Sequence, residues 1–460
     1  MRPALGARLG AAAALAALAL SAACAGEATV DIARAPSPEA LATQVGAAAS
    51  AEPSVATAAL TCKPVEAPPR VDDYELCAAP RLTAAVVRAL GAEAAKRPGV
   101  GVRLASITHA DVVALADLPF LVALEIDDTG LLESAAELPR LPMLRSISLG
   151  AARCERLTSL RGLERDAALE AVTARCPALV DVAALAALPR LRALDLSRSG
   201  VADAAPLAGC ANLFKLNLDD TRVEDVSALG GLSSLAVLSI AGTRVTDARP
   251  LGALAGLVTF RATGAPLGAT LAALGPLDYL QSVEIARTGV HDIGFLRDKH
   301  GLGVVDLADD PVSDLTPLAG ARALARLDAS GTRVRDVRAL ASLGALAELS
   351  LARTEVADVA PLAGLVGLSR LDLSRTRVAH AQKLSGLYGL FALSLAGTPI
   401  ADVEPLRGLT KLYLLSLEGT RVTRVRPLAA LRRLGRLDLR GTRVTDAASI
   451  ARDGLQIDGP

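Results

Sequence analysis

Leucine sets the rhythm of this chain. From Leu121 it returns at Leu144, Leu169, Leu191, Leu213, Leu235, Leu257, Leu280, Leu302, Leu324, Leu346, Leu368, Leu390, Leu412 and Leu434. Of the fourteen steps, eleven are 22 residues, two are 23 and one is 25. Within each period the apolar and polar positions read L-x-x-L-x-L-x-x-T-x-V-x-D-V-x-P-L-x-x-L, as in "LFALSLAGTPIADVEPLRGL" from Leu390. The hexapeptide "GTRVTD" occurs at Gly242–Asp247 and again at Gly441–Asp446, 199 residues apart, which is nine periods of 22 plus one inserted residue. Its recurrence is therefore one phase of the period and no sign of a separate site.

The alternating L-x-L predicts a short strand with one buried face. Asp followed by Pro, ahead of a leucine at helical spacing, predicts the start of a short helix or 3₁₀ segment. The carboxylate accepts free amides of the first turn, and proline takes an early position that needs no amide. Glycine in "LAGL" or "LRGL" closes the turn. One such unit cannot bury its leucines alone, whereas stacked units share a continuous core.

The pattern resembles the leucine-rich repeat family, specifically its bacterial 22-residue, internalin-type repeats. The resemblance implies an α/β fold: a right-handed solenoid, or horseshoe, with a parallel β-sheet on the concave face and short helices or 3₁₀ segments on the convex face. One feature departs from it. The family's Asn inside each coil is replaced by threonine at Thr129, Thr221, Thr243, Thr288, Thr332, Thr354, Thr376, Thr398, Thr420 and Thr442. A hydroxyl also reaches backbone groups, though with fewer bonds. Residues 99–460 are expected to form about fifteen coils. Residues 61–98 read as an N-terminal cap whose helix, over 81–97, covers the open edge of the first coil. After Asp446 a short helix and a frayed tail are expected.

Ahead of the cap, Arg2 and Arg8 precede an Ala/Leu/Gly run from Leu9 to Leu20, followed by small residues in "SAACAG". This reads as an export signal over residues 1–24, too short to span a bilayer. "LSAAC" resembles a bacterial lipobox, with Ser21 where that pattern wants a branched apolar residue. Lipidation of Cys24 and ordinary cleavage after Ala25 both remain open, and both place the protein outside the cytoplasm. Residues 25–60, rich in Ala, Pro, Ser and Glu, read as a disordered tether.

Composition narrows the function classes. Lys and Arg number 49 and Asp and Glu 49, a balance that argues against nucleic acid as a partner. In an oxidising compartment, Cys62 and Cys77 could staple the cap. Cys154 and Cys176 lie in "ARCERLTSLRGL" and "ARCPALVDVAAL", the same phase of adjacent coils. Coils stacked at roughly 4.8 Å suit a disulfide, although two free buried thiols are equally compatible with the spacing. Cys210 takes the place of a core leucine.

The ladder Asp203, Asp225, Asp247, Asp292, Asp314, Asp336, Asp358, Asp402 and Asp446 sits where each turn needs a cap, and the glycine-rich loop of calcium-binding repeats is absent. No metal or cofactor is expected. Arginines of the "TRV" phase are largely offset by acids, as Arg222 is by Asp225. The exception is 421–443, where Arg421, Arg424, Arg426, Arg432, Arg433, Arg436, Arg440 and Arg443 face one acid, Asp438, for a net charge of 8 − 1 = +7. This segment could meet an acidic partner or an anionic envelope surface, or simply keep the end of the solenoid soluble.

On the concave face, the central strand positions include Asp328 and Asp372, and the row two residues earlier holds Arg326, Glu348, Arg370 and Arg436. These rows supply no aromatic anchors of the kind that interfaces favour. The four histidines fall in different coils without metal-ligand spacing, and no nucleophile or phosphate-loop motif is present. The expectation is a monomeric, non-catalytic protein-binding or scaffolding module of the cell envelope, touching membrane only through its lipid. The alternatives are a spacer without a specific ligand and, remotely, an enzyme.

Overall fold

A computed structural model describes residues 61–64, 74–96 and 99–459; the export signal, Cys24 and the tether over 25–60 lie outside them. Strand β1 (Thr61–Pro64) pairs antiparallel with β2 (Glu75–Ala79). From β2 onward every pairing is parallel and joins neighbours in the chain, through β3 (Val100–Leu104), β4 (Leu121–Asp128), β5 (Ser146–Arg153) and β6 (Ala171–Ala174). Three-residue strands follow: β7 (Ala193–Asp195), β8 (Lys215–Asn217), β9 (Val237–Ser239), β10 (Thr259–Arg261), β11 (Ser282–Glu284) and β12 (Val304–Asp306). The run ends with β13 (Arg326–Asp328), β14 (Glu348–Ser350), β15 (Arg370–Asp372), β16 (Ala392–Ser394), β17 (Leu414–Ser416), β18 (Arg436–Asp438) and β19 (Gln456–Asp458). The fold is a right-handed leucine-rich-repeat solenoid, with this single sheet on the concave face and 3₁₀ turns on the convex face.

The period explains the packing. In the coil beginning at Leu390, the side chains of Leu390, Leu393, Leu395, Ile400, Val403, Leu406 and Leu409 are all at most 2 % exposed. They fill one thin layer shared with the coils on either side. Returns such as Ala205–Gly209, Thr316–Gly320 and Glu404–Gly408 are five-residue 3₁₀ turns with proline in second place. At about 2 Å rise per residue, five residues cover roughly 10 Å, enough to bring the chain back within one period.

Two columns of polar residues close each coil. In most coils the Thr hydroxyl donates to the carbonyl three residues earlier in its own coil, as Thr243 does to Ile240 (2.7 Å) and Thr420 to Leu417 (2.6 Å), whereas Thr129 reaches Arg153 O and Thr288 the Asp310 carboxylate of the next coil. The residue before the threonine is left-handed in coil after coil. Gly242, Gly397 and Gly441 stand there at φ 65°, 68° and 67°, and Asp220, Arg287, Arg353 and Arg375 adopt the same region, as does Arg198 before Ser199 in the same phase. The glycine of "GTRVTD" is thus a conformational requirement that other coils meet at some cost.

The ladder aspartates do cap the turns, one residue earlier than an N-cap would. Asp203 accepts the amide of Ala205 (2.8 Å), Asp225 that of Ser227 (2.7 Å) and Asp402 that of Glu404 (2.8 Å). Asp446 differs: it accepts Val425 N (2.7 Å) and Arg426 N (3.0 Å) of the preceding coil. There Arg424 holds the ladder position, so the missing carboxylate is supplied from 22 residues further along.

Both ends differ from expectation. Helix α1 (Ala84–Lys96) links the parallel neighbours β2 and β3, so it is the return segment of a coil, while the sheet edge is covered by β1. Cys62 and Cys77 face each other across β1 and β2 and are disulfide-bonded. Helix α2 (His109–Leu115) returns the next coil. The tail expected to fray pairs as β19 with β18 after a 3₁₀ turn at Ala447–Ser449. "LQID" lacks the leucine signature yet keeps its alternation. Cys154 and Cys176 are bonded between adjacent coils with Cα atoms 4.9 Å apart. Cys210 is free and buried, and burial pushes its thiol up to about 11.

Candidate functional site: the concave groove over β13–β18

In a parallel array with one register, equal positions of successive strands form straight rows. Residues Arg326, Glu348, Arg370, Ala392, Leu414 and Arg436 pair in one row, and Asp328, Ser350, Asp372, Ser394, Ser416 and Asp438 in the next. Together they line a groove of ≈ 520 Å³ across six strands. Leucines between the rows point into the core and hold the floor rigid.

Charge is distributed unevenly along this floor. Glu348 takes Arg326 at 2.8 Å through one oxygen and Arg370 only at 3.7 Å through the other. At the far end Arg436 binds Asp458 of β19 (2.9 Å), and Arg440 bridges Asp438 (2.6 Å) and Glu418 (3.2 Å). The Arg440 hydrogen bond holds the Asp438 carboxyl below its ordinary range. Asp328 and Asp372 accept the amides of Ser330 and Ser374 (both 2.8 Å). Beyond the groove, burial raises the Asp306 carboxyl, and neighbouring Asp328 and Glu284 add to the rise. Between Arg370/Asp372 and Arg436/Asp438 lie two strands whose outward residues are uncharged: Ala392, Ser394, Leu414 and Ser416.

The rim of that stretch carries what the two rows lack. The rings of Phe391 and Tyr413 stack with centroids 5.3 Å apart and planes 10° from parallel. The Tyr413 ring sits against Gly435, where any Cβ would strike it. Tyr388, three residues before Phe391, and Val366, one 22-residue period before Tyr388, are exposed at 59 % and 63 %, and Leu414 is exposed on the floor. Three of the nine aromatic residues (four Tyr and five Phe) thus fall within 388–413. Sequence reasoning missed them because it followed rows inside the strand, and these rings sit one residue before it. Their 22-residue repetition was the available signal.

The arginine-rich segment does not form one patch. Arg421, Arg424 and Arg426 follow β17, whereas Arg432 and Arg433 precede β18, so the coil carries them to opposite edges of the sheet. Arg443 stands one coil beyond Arg421, and Arg424 and Arg426 border a shallow hollow with Asp402 and Glu404. Among the described residues, Arg421, Arg424, Arg426, Arg432, Arg433 and Arg443 have no ion-pair partner, while Arg436 in the groove and Arg440 beside it are ion-paired. Also among the described residues, no cluster of His, Cys, Asp and Glu is arranged to hold a metal ion, and no helix is long and apolar enough to cross a membrane.

No protein-family profile matches this chain, and no curated protein does. Solved structures of similar shape are numerous. An internalin (InlF) from Listeria monocytogenes is 21 % identical, with a TM-score of 0.57, covering 78 % of this chain and 95 % of its own. A leucine-rich-repeat protein of Leptospira interrogans is 17 % identical with a TM-score of 0.67, covering 77 % and 93 %. A plant peptide hormone receptor, RGFR1, solved in complex with RGF2, is 14 % identical with a TM-score of 0.58, covering 78 % and 69 %. At these identities the likeness is one of fold: this chain has the leucine-rich-repeat architecture.

Proposed function

We propose that the chain is an exported, non-catalytic binding module of the cell envelope that holds a protein partner in the concave groove over β13–β18. The carrying observation is the groove itself: rigid, continuous over six strands, and lined by charged, polar and apolar groups in fixed register. A rigid surface that loses little freedom on binding favours recognition, and solenoids present such surfaces on their concave side. The hormone receptor of similar fold, solved with RGF2, supports a polypeptide as partner. Export follows from the leader over 1–24, with Cys24 as a lipid attachment point. The unpaired arginines at 421–426 and 432–433 favour an acidic envelope component close by.

A photoreactive residue placed in living cells at Ser394 or Ser416 should give a discrete adduct, and one at the convex residue Ala341 should not. Equal labelling from both faces, or none from either, would leave a spacer and sink the binding reading. Replacing Cys24→Ser and following membrane fractionation tests the anchor separately: release into the soluble fraction is expected.

A further inference from the structure

The groove is most specific where its charges stop. Ala392 and Leu414 form an apolar floor, Phe391 and Tyr413 stack along its rim, and Arg370 stands at its N-terminal border. Arg370 is the least satisfied cation of the groove, because Glu348 is already engaged by Arg326 at 2.8 Å and lies 3.7 Å away. It is also 64 % exposed at its side chain. On the opposite border Arg436 and Asp438 are each held by a close ionic partner. One border therefore offers a loosely paired cation and the other only closely paired charges.

We infer that this window recognises an extended peptide segment carrying a bulky apolar residue two or three positions from an acidic one. The apolar side chain lies on Leu414 against the Tyr413–Phe391 stack, and the acid pairs with Arg370. Spacing fixes the interval. Arg370 and Leu414 stand two strands apart, roughly 10 Å at about 4.8 Å per strand, which an extended chain at about 3.3 Å per residue covers in roughly three residues. Stacked rings lose little freedom when a partner packs on them, so they suit an anchor pocket. Tyr413 is fixed further by the absence of a side chain at Gly435. The inference rests on the reading of the concave groove as a polypeptide-binding surface and adds what that polypeptide must carry.

The test selects a phage-displayed library of random ten-residue peptides on the immobilised full-length chain. Enriched peptides should share the apolar residue with Asp or Glu two or three positions away. Against the Tyr413→Ala, Leu414→Asp double variant their binding should fall by at least about tenfold. Selection on Arg370→Glu should retain the apolar residue and enrich Lys or Arg at the same interval. A misfolded protein cannot produce that exchange, so the reversal guards against trivial loss. Peptides that bind the double variant as well as the parent, yet are lost on Ser239→Arg, would move the site to another part of the face and overturn the window alone. A library that enriches no peptide overturns it too. Adducts at Ser394 and Ser416 in cells would then still stand for a folded partner, so the two readings fail separately.

Discussion

Arg353 reaches past an intervening coil to Asp309, 44 residues earlier in the chain, placing Nη2 2.7 Å from Oδ1. It can do so because Gly331 lies between them: left-handed at φ 69°, with a side chain's space already taken by the Asp309 carboxylate. Gly331→Ala should therefore incur a left-handed strain of about 1 kcal/mol and displace the pair as well. Gly264→Ala is the control, at φ 79° with no atom nearer than 3.9 Å to the added Cβ. Chemical denaturation should show Gly331→Ala losing roughly twice what the control loses. Equal losses would mean that the carboxylate simply moves aside.

Asp446 offers a test of help between coils. Asp446→Ala leaves the amides of Val425 and Arg426 without their acceptor, a cost of about 1 kcal/mol. Restoring the ladder residue by Arg424→Asp in the same chain should recover most of that loss. A double-mutant cycle with no coupling would contradict the compensation.

Asp310 occupies the threonine column, 1 % exposed, accepting Gly289 N at 2.7 Å. Burial pushes its carboxyl up to about 6 from an ordinary 3.8. The folded state then binds a proton more readily than the unfolded chain does. The group's stabilising contribution is present below about pH 4 and is lost as pH rises through about 6. Asp310→Asn keeps an acceptor and removes the charge. Its stability relative to the parent should rise between pH 4 and 7 by about 3 kcal/mol at most. A difference that stays flat across that window would refute the assignment.

The Cys154–Cys176 bond closes a 22-residue loop between neighbouring coils, a constraint of about 3 kcal/mol on the unfolded chain. Because a solenoid's stability is carried by neighbour contacts, replacing both cysteines by Ala should act locally. Hydrogen exchange should quicken in β5 and β6 and remain unchanged in β15–β18. Uniform quickening along the array would contradict the nearest-neighbour picture.

Much of the fold was legible because burial repeats with the period: Leu390 and its six buried companions are visible in the sequence as one unit. The turn aspartates were legible for a similar reason, since a carboxylate before proline has few other uses. What stayed hidden depended on direction. Arg424 and Arg433 are nine residues apart and look like one cluster, but a 22-residue coil turns the chain most of the way around between its strands. The left-handed column was hidden because Gly242, Asp220 and Arg353 share no chemistry, only a dihedral angle. In the groove, Arg370 and Asp372 could be read from spacing, whereas the weak pairing of Arg370 depends on which oxygen of Glu348 Arg326 takes. That choice is set by the three-dimensional packing of the two side chains and leaves no mark on residue spacing.

The constant register of the parallel strands also gives the array an adjustable length. Removing residues 222–243 would join Thr221 to Arg244 in phase, leaving the leucine, threonine and aspartate ladders unbroken across the seam. The protein would be one storey shorter, with its groove intact beyond β10, β11 and β12. Whole periods are thus interchangeable units for recombination between neighbouring coils in phase. Selection on binding would then fall on the few positions where one storey differs from the next.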